Sequence, residues 1–161
     1  LKNQLLIQSL LNCEKKQIHV IGTARLGEVA TQGVPLYLGT ELTMTNVGST
    51  YVYLVDDAHR LPLDLTGYDK LRLHANFSGG TITAAGVAVR LYDVTKAAAV
   101  TNAVVTKPTG DGTAEQANSG WVAVPAANKG QHVFKVEVKA GNSTDDPKVG
   151  PVWLELRPAV R

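Results

Sequence analysis

Histidine side chains serve acid–base catalysis and transition-metal binding, and this sequence holds four of them. None lies in an HxH, HExxH or CxxC arrangement, the short spacings that bring two ligands to one metal ion. No P-loop, dinucleotide-binding fingerprint or G-x-S-x-G elbow occurs either. We therefore expect no catalytic site, no metal site and no cofactor. The four histidines, His19, His59, His74 and His132, are expected to lie on the surface or on strand faces.

Two pairs of adjacent carboxylates offer the oxygen ligands of a calcium loop or the two acids of a glycosidase. They are Asp56-Asp57 and Asp145-Asp146. Neither pair has the alternating ligand spacing of an EF-hand loop, and Pro147 directly after Asp146 is typical of a turn. The sequence therefore predicts a protein that is not an enzyme.

The chain has a single cysteine, Cys13, which excludes an intramolecular disulfide and a zinc site built from several thiolates. Two alternatives remain, an unpaired thiol and a bridge between two chains. The unpaired thiol is the simpler interpretation, whereas a bridge would place Cys13 in an interface.

Residues 1–16 differ from the rest of the chain because their apolar side chains recur at helical spacing, with amides on the opposite side. We predict an N-terminal amphipathic arm over this range. Isolated helices of this length are marginal in water, so the arm must pack on its own domain, on a neighbouring subunit or on a membrane. A membrane is disfavoured because the polar side carries few cations. The candidate contact residues are Leu1, Leu5, Leu6, Ile7, Leu10 and Leu11.

From residue 17 the hydrophobic period changes to two, which is typical of strands with one buried side. The most regular alternation predicts strands at 71–77, 87–92 and 134–139. Less regular candidates lie at 18–21, 35–38, 41–45, 51–55, 100–105, 121–124 and 152–156. Short strands at this spacing predict one all-β domain over residues 17–161, a sandwich or barrel.

Small and polar residues predict the connections between these strands. Turns are expected at 46–49, 78–80, 128–130 and 141–142, and longer loops at 107–120 and 141–151. Loops of this kind often carry the function of β-domains.

Aromatic side chains are the clearest candidates for binding, because they bring a large contact area at a low entropic cost. Since Val152, Leu154 and Leu156 form the natural core side of the last strand, Trp153 points the other way and is a candidate interface residue. Trp121, Tyr51 and Tyr53 form an alternative ligand platform, on which a sugar could stack. The simpler interpretation is that the two tryptophans cover the edges of the core.

The charge pattern disfavours nucleic acid as a partner. Sixteen Lys and Arg against fourteen Asp and Glu give a net charge of +2 over 161 residues, and the cations are scattered rather than clustered. The apolar runs are far shorter than the twenty residues that a transmembrane helix needs.

A sequence pattern that recurs in jelly-roll β-sandwiches resembles two stretches of this chain, LDLTGYDKLRL at 63–73 and VRLYDVT at 89–95. That pattern occurs in carbohydrate-binding modules and in capsid or capsid-decoration proteins of phages. With its arm, the chain resembles the small single jelly-roll coat proteins of icosahedral viruses, including those that infect thermophiles. Arms of such coat proteins commonly reach across to neighbouring subunits.

This resemblance implies a jelly-roll β-sandwich with an N-terminal arm, which acts as a capsid subunit or a capsid-stabilising decoration protein. Its partners would be further copies of itself and other capsid proteins, and its location the virion. The alternative is a non-catalytic carbohydrate-binding module of a secreted enzyme, whose partner would be a carbohydrate.

Overall fold

The computed structural model of the protein describes residues 31–37, 42–44, 48–54, 59–81, 86–107 and 114–160. The predicted arm with Cys13 and the predicted strand at 18–21 lie outside these ranges. Among the described residues, no helix is long and apolar enough to cross a membrane.

Eleven strands and one short 3-10 helix, Ala126–Asn128, make up the regular structure of the described residues. The strands are β1 Gln32–Tyr37, β2 Leu42–Thr43, β3 Val52–Tyr53, β4 Leu61–Asp64, β5 Tyr68–Thr81, β6 Val87–Asp93, β7 Ala98–Lys107, β8 Glu115–Asn118, β9 Val122–Ala123, β10 Gln131–Ala140 and β11 Asp146–Pro158.

The strands pair like one long hairpin that has been rolled up. The first strand, β1, pairs with the last, β11; β3 and β4 pair with β10; β5 pairs with β8 and β9; and β6 pairs with β7. Successive pairs alternate between two antiparallel sheets, β1-β11-β5-β8 (sheet A, with β2 and β9) and β3-β10-β6-β7 (sheet B, with β4). This nested pairing is that of a jelly-roll β-sandwich, the predicted fold class.

The core lies between the two sheets and follows the alternation along each strand. Every second residue of β5, β6, β10 and β11 points inward, so that each strand gives one side to the core and one to the outside. Fully buried side chains from both sheets include Leu71, Leu73, Phe77, Leu91, Phe134 and Leu154.

The three most regular predicted strands are confirmed as parts of β5, β6 and β10, and five of the weaker candidates overlap β1, β2, β3, β7 and β9. The last candidate, 152–156, is the middle of β11, which starts earlier than expected, at Asp146, within the predicted loop 141–151. Two further predictions were wrong. The expected turn at 78–80 lies within β5, because its backbone pairs with β11. The expected loop 107–120 contains β8. The residues of β8 are polar and show no strand pattern, but they form a strand because they pair with β5.

A buried polar cluster closes one end of the sandwich. Asp93, at the end of β6, is fully buried and accepts hydrogen bonds from Nδ1 of His132 and, at 2.8 Å, from Nδ2 of Asn128. Its other oxygen accepts the backbone N–H of Lys96 at 3.0 Å. Burial acts to raise the pKa of Asp93, but these hydrogen bonds outweigh it and hold the pKa below its ordinary value. The carboxylate thus ties the β6–β7 turn and the 3-10 helix to β10.

Replacing Asp93 with Ala leaves the donors of His132 and Asn128 buried without their acceptor, so we expect Asp93→Ala to lower the free energy of unfolding by about 3 kcal/mol at pH 7. Because the pKa of Asp93 is lowered on folding, its contribution is present above the unfolded pKa of about 4 and is lost as the pH falls below it. Urea denaturation at pH 7 and pH 3 measures both effects.

The control is Asp64→Ala, an exposed aspartate whose side chain accepts hydrogen bonds from the neighbouring Thr66, including its backbone N–H at 2.9 Å. We expect a much smaller loss for this variant. Equal losses for Asp64→Ala and Asp93→Ala would show that the buried cluster has no special weight.

Candidate functional site

The outer side of sheet A carries a cluster of two tryptophans and several paired charges, here called the tryptophan face. Its members come from β5, β11 and the segment before β9. Trp153 on β11 lies directly opposite His74 on β5, and the two rings stack with centroids 4.7 Å apart and planes inclined by 5°. One side of the indole is therefore covered by its own subunit. The members of the face are Arg72, His74, Trp121, Trp153, Glu155 and Arg157.

Glu155 holds this face together. One of its carboxylate oxygens lies 2.6 Å from an Arg72 guanidinium nitrogen and 3.0 Å from Nε2 of His74. Burial acts to raise the pKa of Glu155, but hydrogen bonds from Arg72, His74 and Thr31 outweigh it and hold the pKa below its ordinary value. The carboxylate is thus charged at neutral pH and fixes the imidazole on which Trp153 stacks.

Trp121 lies beside the same charges. The guanidinium carbon of Arg72 is 4.5 Å from the centroid of the indole, and that of Arg157 is 5.6 Å from it. Arg157 is also paired with Asp69 at 3.3 Å. Both arginines therefore have a carboxylate partner as well as an aromatic one.

Two polar atoms of the tryptophan face have no hydrogen-bond partner among the described residues. They are Nδ1 of His74 and Oδ1 of Asn76, both buried and two residues apart on the outward side of β5. Unpaired buried polar atoms are rare in folded proteins and costly. Both atoms lie beneath the layer of side chains on the outward side of β5 and are not exposed to solvent.

The outer side of sheet B carries a second aromatic cluster, here called the tyrosine face. Arg90 lies 3.6 Å from the ring centroid of Tyr51. Lys135 lies 3.5 Å from that of Tyr53 and 4.6 Å from that of Tyr92. The remaining members are Glu137 and Lys139, the latter 5.0 Å from the ring of Tyr51.

Glu137 neutralises the middle of the tyrosine face. It lies 2.7 Å from Arg90 and 3.1 Å from Lys135, and both Lys135 and Glu137 are less than a tenth exposed although they point away from the core. Burial acts to lower the pKa of Lys135, but hydrogen bonds to Tyr53 and Glu137 outweigh it and raise the pKa. The tyrosines thus cover part of a buried ion pair, although the ring of Tyr53 itself remains exposed.

The structure separates the aromatic residues that the sequence suggested as one ligand platform. Trp121 lies on the tryptophan face, whereas Tyr51 and Tyr53 lie on the tyrosine face, on the opposite side of the sandwich. Trp121 and Trp153 share one face, as do Tyr51 and Tyr53. Each of the four rings has a cationic or imidazole group of its own subunit near its π-face.

Groups that would support catalysis or metal binding are not gathered in the described part of the chain. No cluster of three or more His, Cys, Asp or Glu residues that could hold a metal ion occurs there. An open cavity of about 320 Å³ lies between the sheets beside β1 and β4. Its lining among the described residues combines apolar side chains such as Leu54 and Phe134 with His59, Arg60 and Lys135.

Sequence reasoning did not single out the charged members of the two faces. Alternation alone placed Arg72 and His74 on the outward side of one strand and Glu155 on the outward side of another. Their contact depends on the pairing of β5 with β11, which are separated by more than sixty residues. The sequence does show opposite charges on the outward sides of two predicted strands. Many pairs of strands share this property, so it does not identify which two strands are neighbours.

Exchanging Glu155 for Gln removes the charge that binds Arg72 and His74 but keeps the shape of the side chain. We expect Glu155→Gln to lower the free energy of unfolding by about 1 to 3 kcal/mol and to shift tryptophan emission to longer wavelength, because His74 no longer holds Trp153. Asp69→Asn removes a charge from the same face at a longer, more exposed pair and serves as the control. An unchanged emission spectrum for Glu155→Gln would contradict the role given to this carboxylate.

The chain is similar to several solved structures, all at low sequence identity. No protein-family model and no curated protein matches the chain. A chain in the structure of infectious bursal disease virus, Gx strain, is 12% identical with a TM-score of 0.48, over 79% of this chain and 30% of that one. The CBM35 from Cellvibrio japonicus Abf62 is 15% identical with a TM-score of 0.47, over 82% and 96%. The CBM6cm-2 module from Cellvibrio mixtus lichenase 5A, in complex with cellotriose, is 14% identical with a TM-score of 0.41, over 82% and 98%. The chain spans less than a third of the viral chain.

Proposed function

We propose that this protein is a structural protein of a virus particle, a capsid subunit or a capsid-stabilising decoration protein, and that it acts by associating with copies of itself and with other shell proteins. The observation that carries the proposal is the tryptophan face, a sheet surface with two tryptophans whose neighbouring charges are already paired. The viral setting rests on the sequence resemblance of residues 63–73 and 89–95 to jelly-roll coat and decoration proteins.

The paired charges make the tryptophan face suitable for burial under another subunit. An interface that buries an unpaired charge is penalised by the loss of its hydration. Here Arg72 is bound to Glu155, and Arg157 to Asp69, before any partner arrives. A partner therefore covers neutral pairs and aromatic surface rather than isolated ions.

The residue types of this face are those that dominate the energy of protein–protein contacts. Tryptophan, tyrosine and arginine are enriched among the few residues that carry most of an interface's affinity. Trp153 and Trp121 are both half-buried in the isolated subunit, so part of each indole is available for contact. The unpaired polar atoms of His74 and Asn76 lie on the same side of the sheet.

The arm supplies the second proposed contact. Its six apolar residues, at about 2 kcal/mol for each fully buried leucine-sized side chain, are sufficient to decide whether subunits stay together. The described residues enter sheet A at β1, which pairs with β11 and sets Pro35 opposite Trp153.

Removing the indole of Trp153 tests the proposed contact face. We expect Trp153→Ala to weaken self-association at least tenfold, because truncating a central tryptophan of an interface typically costs more than 1.4 kcal/mol. Sedimentation velocity over a range of protein concentrations measures this change, and circular dichroism confirms the fold.

The matched control is Tyr53→Ala, which removes an exposed aromatic ring from the opposite side of the sandwich. It should leave self-association unchanged. If both variants associate like the unmodified protein, the tryptophan face is not the contact. Saturable binding of a soluble glycan by a protein that stays monomeric would favour the carbohydrate-binding alternative.

Deletion of residues 1–12 tests the arm separately. We expect the β-domain to remain folded and the oligomers to dissociate, because the apolar residues of the arm no longer reach a neighbouring subunit. Light scattering after size exclusion, with and without reductant, gives the mass of each species. Sensitivity to reductant would assign Cys13 a bridging role, whereas unchanged assembly of the truncated protein would contradict the proposed role of the arm.

A further inference from the structure

The four edges of the sandwich are not alike. Three of them are broken, because each consists of two short strands in succession: β1 and β2 along β11, β8 and β9 along β5, and β3 and β4 along β10. None of these six strands exceeds six residues. The fourth edge is β7, a single strand of ten residues whose one paired neighbour among the described residues is β6.

The sequence of β7 lacks the features that usually protect an exposed edge. Natural sheets discourage edge pairing with charged residues, prolines and short strands. Residues 98–106 contain no charged residue, no proline and no glycine. By contrast, β1 contains Pro35, β4 contains Pro62 and β8 contains Glu115. Lys107, the last residue of β7, is buried with its ammonium 4.0 Å from Glu115.

A bulge divides β7 and leaves one regular half. Between the pairs Tyr92↔Ala99 and Arg90↔Val104, β7 has three more residues than β6, and Asn102 adopts a φ of 60° there. Residues 104–107 then pair in unbroken register with 90–87. In this half Val105 and Lys107 point inward, while Val104 and Thr106 face outward. The available edge is therefore the segment 103–107.

We propose that this edge of β7 pairs antiparallel with β7 of a second copy of the chain, so that sheet B continues from one subunit into the next. The proposal rests on the self-association proposed above and names a contact surface distinct from the tryptophan face. It is a case of strand addition at an exposed sheet edge, in which main-chain hydrogen bonds provide the contact.

The lack of charge along this edge is compatible with a second copy of the chain as its partner. In a contact about a two-fold axis, each residue near the axis meets its own copy, so a charged edge would repel itself. The segment 103–106 is neutral. Pairing centred on Val105 sets Val104 opposite Thr106 of the second copy and keeps Lys107 opposite Ala103, away from its own copy. The short edge makes a weak contact, which many copies in a shell would strengthen through avidity.

Hydrogen exchange on the full chain, in reductant, tests the pairing directly. Backbone amides of residues 103–107 should exchange more slowly at high protein concentration than at low concentration, while other strand edges stay unchanged. In parallel, Val104→Lys and Thr106→Lys place a charge at the two outward positions of the edge. We expect each to raise the dissociation constant at least tenfold by sedimentation velocity. Thr66→Lys, an equally exposed threonine in the β4–β5 turn, is the control and should have no effect.

The outcomes separate this inference from the proposed function. If the protein associates but neither β7 variant weakens the complex and no amide of 103–107 gains protection, the edge pairing is wrong while self-association stands. If Thr66→Lys weakens association as much as the β7 variants, the effect is one of net charge, and the edge pairing is again refuted. A protein that is monomeric at every concentration refutes both proposals.

Discussion

The pairing of β5 with β11 is the constraint on which the rest of this structure depends. These strands form eleven registered pairs in the middle of sheet A, although they are far apart in the sequence. Closing so long a loop costs conformational entropy, which the burial of Leu71, Leu73 and Leu154 between the sheets offsets. The same pairing brings Trp153 onto His74 and Glu155 onto Arg72. Core and outer surface are thus fixed by one register, because a slip by one residue would exchange them.

Both outer faces solve the same physical problem in the same way. An outward cation next to an aromatic ring gains attraction from the π-face, and a carboxylate in contact with the cation neutralises its charge. On sheet A the carboxylate is Glu155, and on sheet B it is Glu137. The consequence differs between the faces. On sheet B the ion pair of Lys135 and Glu137 is buried, whereas on sheet A the pair of Arg72 and Glu155 is partly exposed beside the indoles.

Much of the fold could be predicted from the sequence, but little of the candidate site could. Alternation identified β5, β6 and β10 and the outward direction of Trp153, because a period of two is a local property of the chain. It missed β8, whose residues Glu115–Asn118 are polar and are held in a strand by pairing with β5. It also took the glycines at 78–80 for a turn, although β11 pairs along them. The candidate site depends on which strands are neighbours, and local pattern does not contain that information.

The edges of the two sheets differ in the length of their strands. A rolled-up hairpin must place its innermost pair, β6 and β7, at one side of sheet B, so the topology itself leaves β7 at an edge. The other three edges each consist of two strands that follow one another along the same partner, so each of these edges is interrupted between its two strands. Along β6 there is a single strand, β7, which a tight turn joins to β6 within one sheet, and the bulge at Asn102 leaves its C-terminal half as the regular part. The residues along that half decide whether the edge is protected or open to pairing. Residues 103–106 along this edge carry no charge. The topology therefore leaves β7 at an edge, and the sequence contains no charge there that would prevent pairing.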